Sequence, residues 1–257
     1  MSLPYSRARL DQVMAQRGLT RSRSAARRLV LDGQVLVDGM LAKRPGRQVA
    51  VDAVVELDGV LPPYVSRAGR KLAAALDHWQ IDVSGCTALD VGASTGGFTD
   101  CLLRRGAARV IAVDVGHEQL DTRLRADDRV HVLEQTDVRD LPLLRPEPDL
   151  VVIDVSFIRL RDVLGSVVAC AGSVSQIIGL FKPQFELSGR DVPRDGVIKD
   201  HVVRNLTLTG FLGWANRTGF NVVATVASHV TGGNGNQESF VLLRPPWPVP
   251  GEVKQRL

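Results

Sequence analysis

Cysteine is scarce in this 257-residue chain: Cys86, Cys101 and Cys170 are separated by 15 and 69 positions, spacings that fit neither a zinc site nor a disulfide framework. Five scattered histidines add no metal cluster, so no metal is expected and a reducing, cytoplasmic setting is. The N-terminus lacks the apolar core of a secretion signal, because Arg7, Arg9 and Asp11 interrupt it. Long hydrophobic runs are missing too. The uncharged stretch Val163–Phe181 covers nineteen residues, but Gly165, Ser166, Gly172, Ser173, Ser175, Gln176 and Gly179 dilute it. A buried helix, a Gly/Ser turn and a strand are expected there, and no membrane partner.

What is present suffices for a proper core: 44% of residues are hydrophobic and 23% charged, which excludes a disordered or fibrous chain. The formal net charge is only +4, but it is unevenly placed. Residues 1–71 hold 13 Lys/Arg against 6 Asp/Glu, and residues 72–257 hold 19 against 22. A basic N-terminal quarter joined to a slightly acidic remainder suggests a polyanion-binding module on a working domain.

The N-terminal part begins with a helical pattern at Leu10, Val13 and Met14 that stops at Arg17-Gly18. Ser22 is placed to cap a second helix, Arg23–Leu31, with Ala26, Leu29 and Val30 on its apolar side. After Gly33 come the strand Gln34–Val37, an Asp38-Gly39 turn, and a second alternating stretch from Gln48 to Leu57. Arg7, Arg9, Arg17, Arg21, Arg23, Arg27 and Arg28 face a single acid, Asp11, on these short helices, an arrangement suited to binding phosphate. The ordered pattern Arg9-Leu10-Asp11, Gly18-Leu19-x-x-Ser22-Arg23-x-x-Ala26-x-x-Leu29 and Gly33-x-Val35-x-Val37-Asp38-Gly39 resembles the S4 RNA-binding domain. That resemblance implies RNA binding through the face carrying Arg21, Arg23, Arg27 and Arg28, with Arg7, Arg9 and Arg67 as further candidates.

The expected division is residues 1–59 as the S4-like domain, a proline-stiffened linker at 60–66, and a second domain at 67–257. In that second domain strands are expected at Ala88–Val91, Val110–Val113, Val130–Leu133, Leu150–Ile153, Ile177–Phe181, Val222–Ser228 and Ser239–Arg244. Helices are expected near 97–105, 117–125, 158–171 and 201–218. The fold class is therefore α/β: an open, mostly parallel sheet with helices on both faces, whose ligands bind beyond the carboxyl ends of the strands.

After the first of these strands comes Asp90-Val91-Gly92-Ala93-Ser94-Thr95-Gly96-Gly97-Phe98-Thr99. A dinucleotide site would want G-x-G-x-x-G here; this loop is G-x-x-x-G-G and lacks the second glycine that makes room for a pyrophosphate. Asp114 ends the next strand, where a carboxylate can accept ribose hydroxyls, and Asp137 follows the third, within reach of an adenine amino group. A nucleoside ligand without a pyrophosphate points to S-adenosylmethionine.

Three charged residues stand at later strand ends: Asp154 after the fourth, Lys182 after the fifth, and Glu238 before the last, beyond the loop Gly232–Gln237. Lys71 lies in the helix just after the linker. A lysine flanked by Phe181, Pro183 and Phe185, with a second lysine nearby, is a candidate for a neutral amine that could take a proton from a ribose 2′-hydroxyl. Asp154 and Glu238 would position the lysines and balance their charge. Together the four resemble the Lys-Asp-Lys-Glu tetrad of 2′-O-ribose methyltransferases of the FtsJ/RrmJ type. The whole chain, from Arg9 to about Leu243, resembles the TlyA family, also named hemolysin A. Its most telling segments are Val65-Ser66-Arg67-x-x-x-Lys71-Leu72, Asp90 to Thr99, Asp154-x-Ser156-Phe157-Ile158 and Lys182-Pro183-Gln184-Phe185-Glu186.

The resemblance implies a Rossmann-like class I methyltransferase fold with a seven-stranded sheet. It implies tetrad roles for Lys71, Asp154, Lys182 and Glu238, with Lys182 as base, and 2′-O-methylation of a cytidine in ribosomal RNA on a ribosomal subunit. The sequence leaves monomer and weak dimer both open. Two departures matter. Where some members carry Arg-Ala-Trp-Val in the linker, with an effect on cofactor affinity, this chain has Pro62-Pro63-Tyr64-Val65. It ends in the proline-rich run Pro245–Gly251 and six more residues rather than in the extra helix of members that modify both subunits, which favours 23S rRNA over 16S. The alternatives are a membrane-active hemolysin, which requires Val163–Phe181 to enter a bilayer, a nicotinamide-dependent oxidoreductase, and a non-catalytic RNA-binding protein with a relic methyltransferase fold.

Overall fold

The computed structural model describes residues 7–31, 33–57, 64–172, 176–187, 191–232 and 235–246. Pro62 and Pro63 of the linker, the Ser173–Ser175 turn, Gly233 and Asn234 before Glu238, and Trp247–Leu257 lie outside these residues. The chain forms two compact units, Met1–Pro63 and Tyr64–Leu257.

The first unit contains β1 (Arg7–Arg9), α1 (Leu10–Gln16), α2 (Arg23–Leu31), β2 (Val35–Val37), β3 (Met40–Leu41), β4 (Gln48–Ala50) and β5 (Val55–Leu57). Leu10, Val13 and Met14 of α1 meet Ala26 and Val30 of α2 in a small core closed by Val35, Val37 and Val49. The Ser22 hydroxyl accepts the Ala25 N–H at 3.2 Å, the capping bond expected for α2. The stretch Gln48–Leu57 departs from expectation: it is two strands in two sheets, β4 pairing with β1 and β5 with β2. Local hydrogen bonds outweigh the alternation. Asp38 accepts the Val54 N–H at 3.0 Å, and the Arg17 guanidinium donates to the carbonyls of Val51 and Ala53 and holds the turn between the strands. Arg17 is thereby withdrawn from the arginine face.

In the second unit the elements are α3 (Arg67–Trp79), β6 (Thr87–Val91), α4 (Gly97–Arg104), β7 (Arg109–Val113), α5 (Thr122–Arg125), β8 (Val130–Leu133), β9 (Leu150–Ile153), α6 (Leu160–Ala171), β10 (Gln176–Phe181), α7 (Pro183–Glu186), α8 (His201–Arg217), β11 (Asn221–Ala227) and β12 (Ser239–Arg244). Seven strands form one sheet in the order β11-β12-β10-β9-β6-β7-β8, with β12 antiparallel to both neighbours. All seven anticipated strands are present, and one hydrophobic layer lies on each face. The described residues of Val163–Phe181 fall largely in α6 and in the buried strand β10, and among the described residues no helix is long and apolar enough to cross a membrane.

Two differences bear on the site. The helix expected over 117–125 is reduced to α5, four residues long: Glu118 has φ +51°, which a right-handed helix cannot pass through, and the turn so formed offers the N–H groups of Glu118, Gln119 and Leu120 to the Glu134 carboxylate. Tyr64–Ser66 belong to the second unit: the Val65 N–H donates to Asp100 at 2.8 Å and Ser66 caps α3.

One buried side chain joins α6 to α7. Arg159 offers no side-chain cap to α6, and Glu186 of α7 does so instead, accepting the Leu160 N–H at 2.6 Å and pairing with Arg161 at 2.9 Å. Replacing it leaves a buried N–H and a guanidinium unpartnered. Glu186→Ala should therefore lower the urea-unfolding free energy by about 3 kcal/mol. Glu186→Gln, which keeps one acceptor, should lose roughly half as much; a loss below about 0.5 kcal/mol for the alanine variant would mean that Glu186 does not cap α6.

Candidate active site

Strand order reverses at β6. The chain runs outward through β7 and β8, then crosses back to β9 on the other side of β6, which opens a crevice at the carboxyl ends of β6 and β9. Gly92 and Asp154 leave the sheet there side by side. Gly92 has φ +82°, and a Cβ on it would lie 2.7 Å from the Asp154 carbonyl oxygen, so both backbone conformation and space demand glycine. A cleft of about 160 Å³ opens beside them, lined by Ser66, Ala68, Gly92–Thr95, Gly97, Phe98, Asp154, Ser156 and Lys182. The glycine loop is also a packing joint: a Cβ on Gly97 would lie 2.8 Å from Ala68 Cβ, and α4 thereby seats against the first turn of α3.

The four charged residues form two pairs. Lys71 Nζ donates to Glu238 Oε2 at 2.5 Å, and both side chains are about 95% buried. Lys182 Nζ lies 2.6 Å from Asp154 Oδ1, a close ion contact without the alignment of a hydrogen bond, and donates to the Ser156 hydroxyl at 3.0 Å. Only the second pair lines the cleft. Lys71 borders a different crevice, with Ala74, Ala75, Val226–His229 and Phe240.

Around the crevice the carboxylates are crowded. Asp90 is fully buried; its Oδ2 accepts the Thr99 hydroxyl at 2.7 Å, while Oδ1 has no partner. Loss of water, helped by the charges of Asp154 and Asp114, pushes its carboxyl up to about 7 despite the Thr99 bond. Asp114 accepts the Ser94 and Gly116 N–H groups at 2.8 and 2.7 Å, and so ties the end of β7 to the glycine loop. Asp137 caps a short 3-10 turn at Val138–Asp140 and pairs with Arg139 at 2.6 Å, which holds its carboxyl below the usual range. An unpartnered buried oxygen, a glycine-walled cleft and acceptors at two strand ends suit a cationic, hydroxyl-bearing ligand, and S-adenosylmethionine fits that donor set.

Of the RNA-binding candidates, Arg21, Arg23, Arg27 and Arg28 are exposed on α2 and the turn before it, and Arg7 is exposed on β1. Arg9 is taken up by Asp11, with Nε and NH2 donating at 3.0 and 2.7 Å. Arg67 lies in the second unit and is half-buried.

Three residues near the cleft had no role in the sequence reading. Ser156 holds Lys182; its place two residues beyond a strand-end aspartate was the available signal. Phe157 has φ +65°, is 92% exposed and stacks on Phe185 with ring centroids 5.2 Å apart. Glu134 binds three successive backbone N–H groups, a contact that no short sequence pattern encodes.

The Asp90 geometry makes stability depend on pH. Its folded value near 7 exceeds the unfolded value of about 3.9, so the native state holds the proton more tightly and stability falls as pH rises between those values. From pH 5 to pH 8 the wild type should lose roughly 2 kcal/mol relative to Asp90→Asn in urea unfolding. Parallel pH profiles for the two proteins would mean that Asp90 is ionised throughout.

Known proteins share this architecture. The FtsJ-like methyltransferase family matches residues 64–245 and the S4 domain residues 8–55. The chain is 42% identical over 241 residues to the 16S/23S rRNA (cytidine-2′-O)-methyltransferase TlyA of Mycobacterium tuberculosis, covering 93% of this chain and 90% of that protein. It is 36% identical over 188 residues to the 23S rRNA (cytidine-2′-O)-methyltransferase TlyA of Campylobacter jejuni, covering 72% and 73%. A solved structure of a candidate hemolysin from Streptococcus thermophilus superposes with a TM-score of 0.73 at 33% identity, covering 98% of this chain and 94% of that one. The chain belongs to the TlyA family, in which an S4 domain accompanies an FtsJ-like, S-adenosylmethionine-dependent methyltransferase domain.

Proposed function

We propose that the protein methylates the 2′-oxygen of a cytidine in ribosomal RNA, on a ribosomal subunit in the cytoplasm, with Lys182 as the base. The Lys182–Asp154 pair on the wall of the glycine cleft carries this reading. S-adenosylmethionine supplies an electrophilic methyl group on a sulfonium centre. The loop from Gly92 to Thr99 would lie against the cofactor, with Asp114 accepting its ribose hydroxyls, Asp137 near its adenine, and Asp90 and Asp154 completing the acidic lining. Lys182 accepts the proton that the 2′-hydroxyl gives up as its oxygen becomes nucleophilic. Asp154 and Ser156 fix the amine in place, and the Asp154 carboxylate stabilises the positive charge that then forms on Lys182. Lys71 and Glu238, a buried pair linking α3 to the residue before β12, would complete the tetrad.

On the substrate side, Phe157 offers an exposed aromatic face against Phe185, whose ring centroid lies 5.8 Å from Lys182 Nζ, and an unstacked base could rest on it. The exposed arginines of α2 would hold the surrounding RNA by its phosphates, and Arg67 would extend that contact in the second unit. Large-subunit 23S rRNA is the favoured target and 16S rRNA the second, since the two relatives differ in whether 16S rRNA is also modified.

Labelled S-adenosylmethionine, incubated with the protein and separated ribosomal subunits and followed by mapping of the label, tests the reaction and its target together. Lys182→Ala should lower methyl transfer by at least about 100-fold while cofactor and rRNA binding persist; an unchanged rate would remove Lys182 as the base. Replacing Arg23 and Arg27 together by alanine should weaken binding to ribosomal subunits and flatten its salt dependence by about two contacts. Unaltered affinity would mean that the first unit does not hold RNA through α2.

A further inference from the structure

The turn after β7 is built around a carboxylate from the next strand. Glu134, one residue beyond β8, accepts the N–H groups of Glu118, Gln119 and Leu120 at 2.7, 3.0 and 3.0 Å, and a fourth bond from Arg125 at 2.7 Å. Successive N–H groups converging in this way form an anion-binding nest, here filled from within the protein. Glu118 takes the left-handed conformation, φ +51°, that lets them converge. Arg125, with help from the three amides, holds the Glu134 carboxyl down at about 2, so it stays ionised wherever the protein is folded and active.

The turn so fixed is stitched to the glycine loop. Ser94 Oγ donates to Gln119 Oε1 at 3.1 Å, and the Asp121 N–H donates to the Thr95 carbonyl at 3.3 Å. Leu120 is buried against Gly96, where a Cβ would come within 2.9 Å of Leu120 Cδ1. Asp114 closes the circuit through its bond from the Ser94 N–H at 2.8 Å. Both loops assigned to the cofactor thus depend on one turn, and the turn depends on Glu134.

We propose that Glu134 is the positioning residue of the cofactor's nucleoside site, holding the Glu118–Leu120 turn so that Gln119 and Asp114 meet the glycine loop in the binding geometry. The proposal rests on the assignment of Asp114 and the glycine loop to S-adenosylmethionine. Glu134 acts through the turn, so its loss should raise the cost of binding and leave the chemistry of Lys182 alone.

Titration calorimetry of the full-length protein with S-adenosylmethionine, alongside rate measurements on ribosomal subunits, tests this. Glu134→Ala should raise the cofactor Kd about tenfold, as expected for losing hydrogen bonds to a charged group, with kcat at saturating cofactor within about twofold of wild type. Glu134→Gln, nearly isosteric and folded even where the alanine variant is not, should raise Kd about threefold. A lowered thermal midpoint with unchanged Kd in either variant would make Glu134 a merely structural residue and overturn the proposal. A fall in kcat at saturating cofactor without a change in Kd would overturn it as well. Asp114→Ala separates the two levels: an unchanged cofactor Kd in that variant would show that the site assignment itself has failed.

Discussion

The abutment of Gly92 on the Asp154 carbonyl is the constraint around which the second unit is organised. Parallel strands on either side of a reversal point diverge at their carboxyl ends, and a crevice forms only if the two departing backbones can pass each other. Gly92 meets that condition by conformation and by size. Once it is met, the glycine loop, Asp90, Asp154 and Lys182 fall on one edge with no further requirement on the distant sequence between them.

Electrostatics explains why these charges are arranged as they are. Asp90, Asp114 and Asp154 would repel one another if all were bare. The crowding is relieved by a different device at each: protonation favoured by burial at Asp90, two backbone N–H donors at Asp114, and a lysine at Asp154. What is left is a cleft with a carboxylate and a lysine together on its wall, which suits a cationic methyl donor approaching a site where a proton must be removed. The Lys71–Glu238 pair is of another kind. With both groups withdrawn from water its net stabilisation is small, but breaking it would strand a buried charge. Its worth therefore lies in fixing one arrangement of helix and strand.

Much of this was legible in the sequence, and the parts that were not share a cause. The parallel strands of the large sheet, β6 to β10, were each marked by a short apolar run, which strands covered on both faces favour. Asp114, Asp154 and Lys182 could be found because a charge directly after such a run must sit at the sheet's edge. The helix expected over 117–125 and the single strand expected over 48–57 failed because a side chain remote in sequence captured the backbone. Glu134 gathered the amides of a turn that Glu118 enters in the left-handed conformation, and Arg17 took the carbonyls of a continuous strand. Periodicity reports how a segment would bury its own side chains and is blind to a polar partner arriving from elsewhere. The pairing of Lys71 with Glu238 and of Lys182 with Asp154 was hidden for the same reason.

The order of assembly adds a consequence for the protein as it is made. Lys71 stands on the first helix of its unit and Glu238 at the start of the last strand, 167 residues later. That last strand, β12, is inserted between β10 and β11 and pairs with both. During synthesis neither the ion pair nor the interior of the sheet can be completed until the end of the chain has emerged, while the small first unit, made of local contacts, can fold long before. A nascent chain cut short of β12 can thus present its arginine helix without a finished methyltransferase sheet, and that sheet is completed only once β12 has been made.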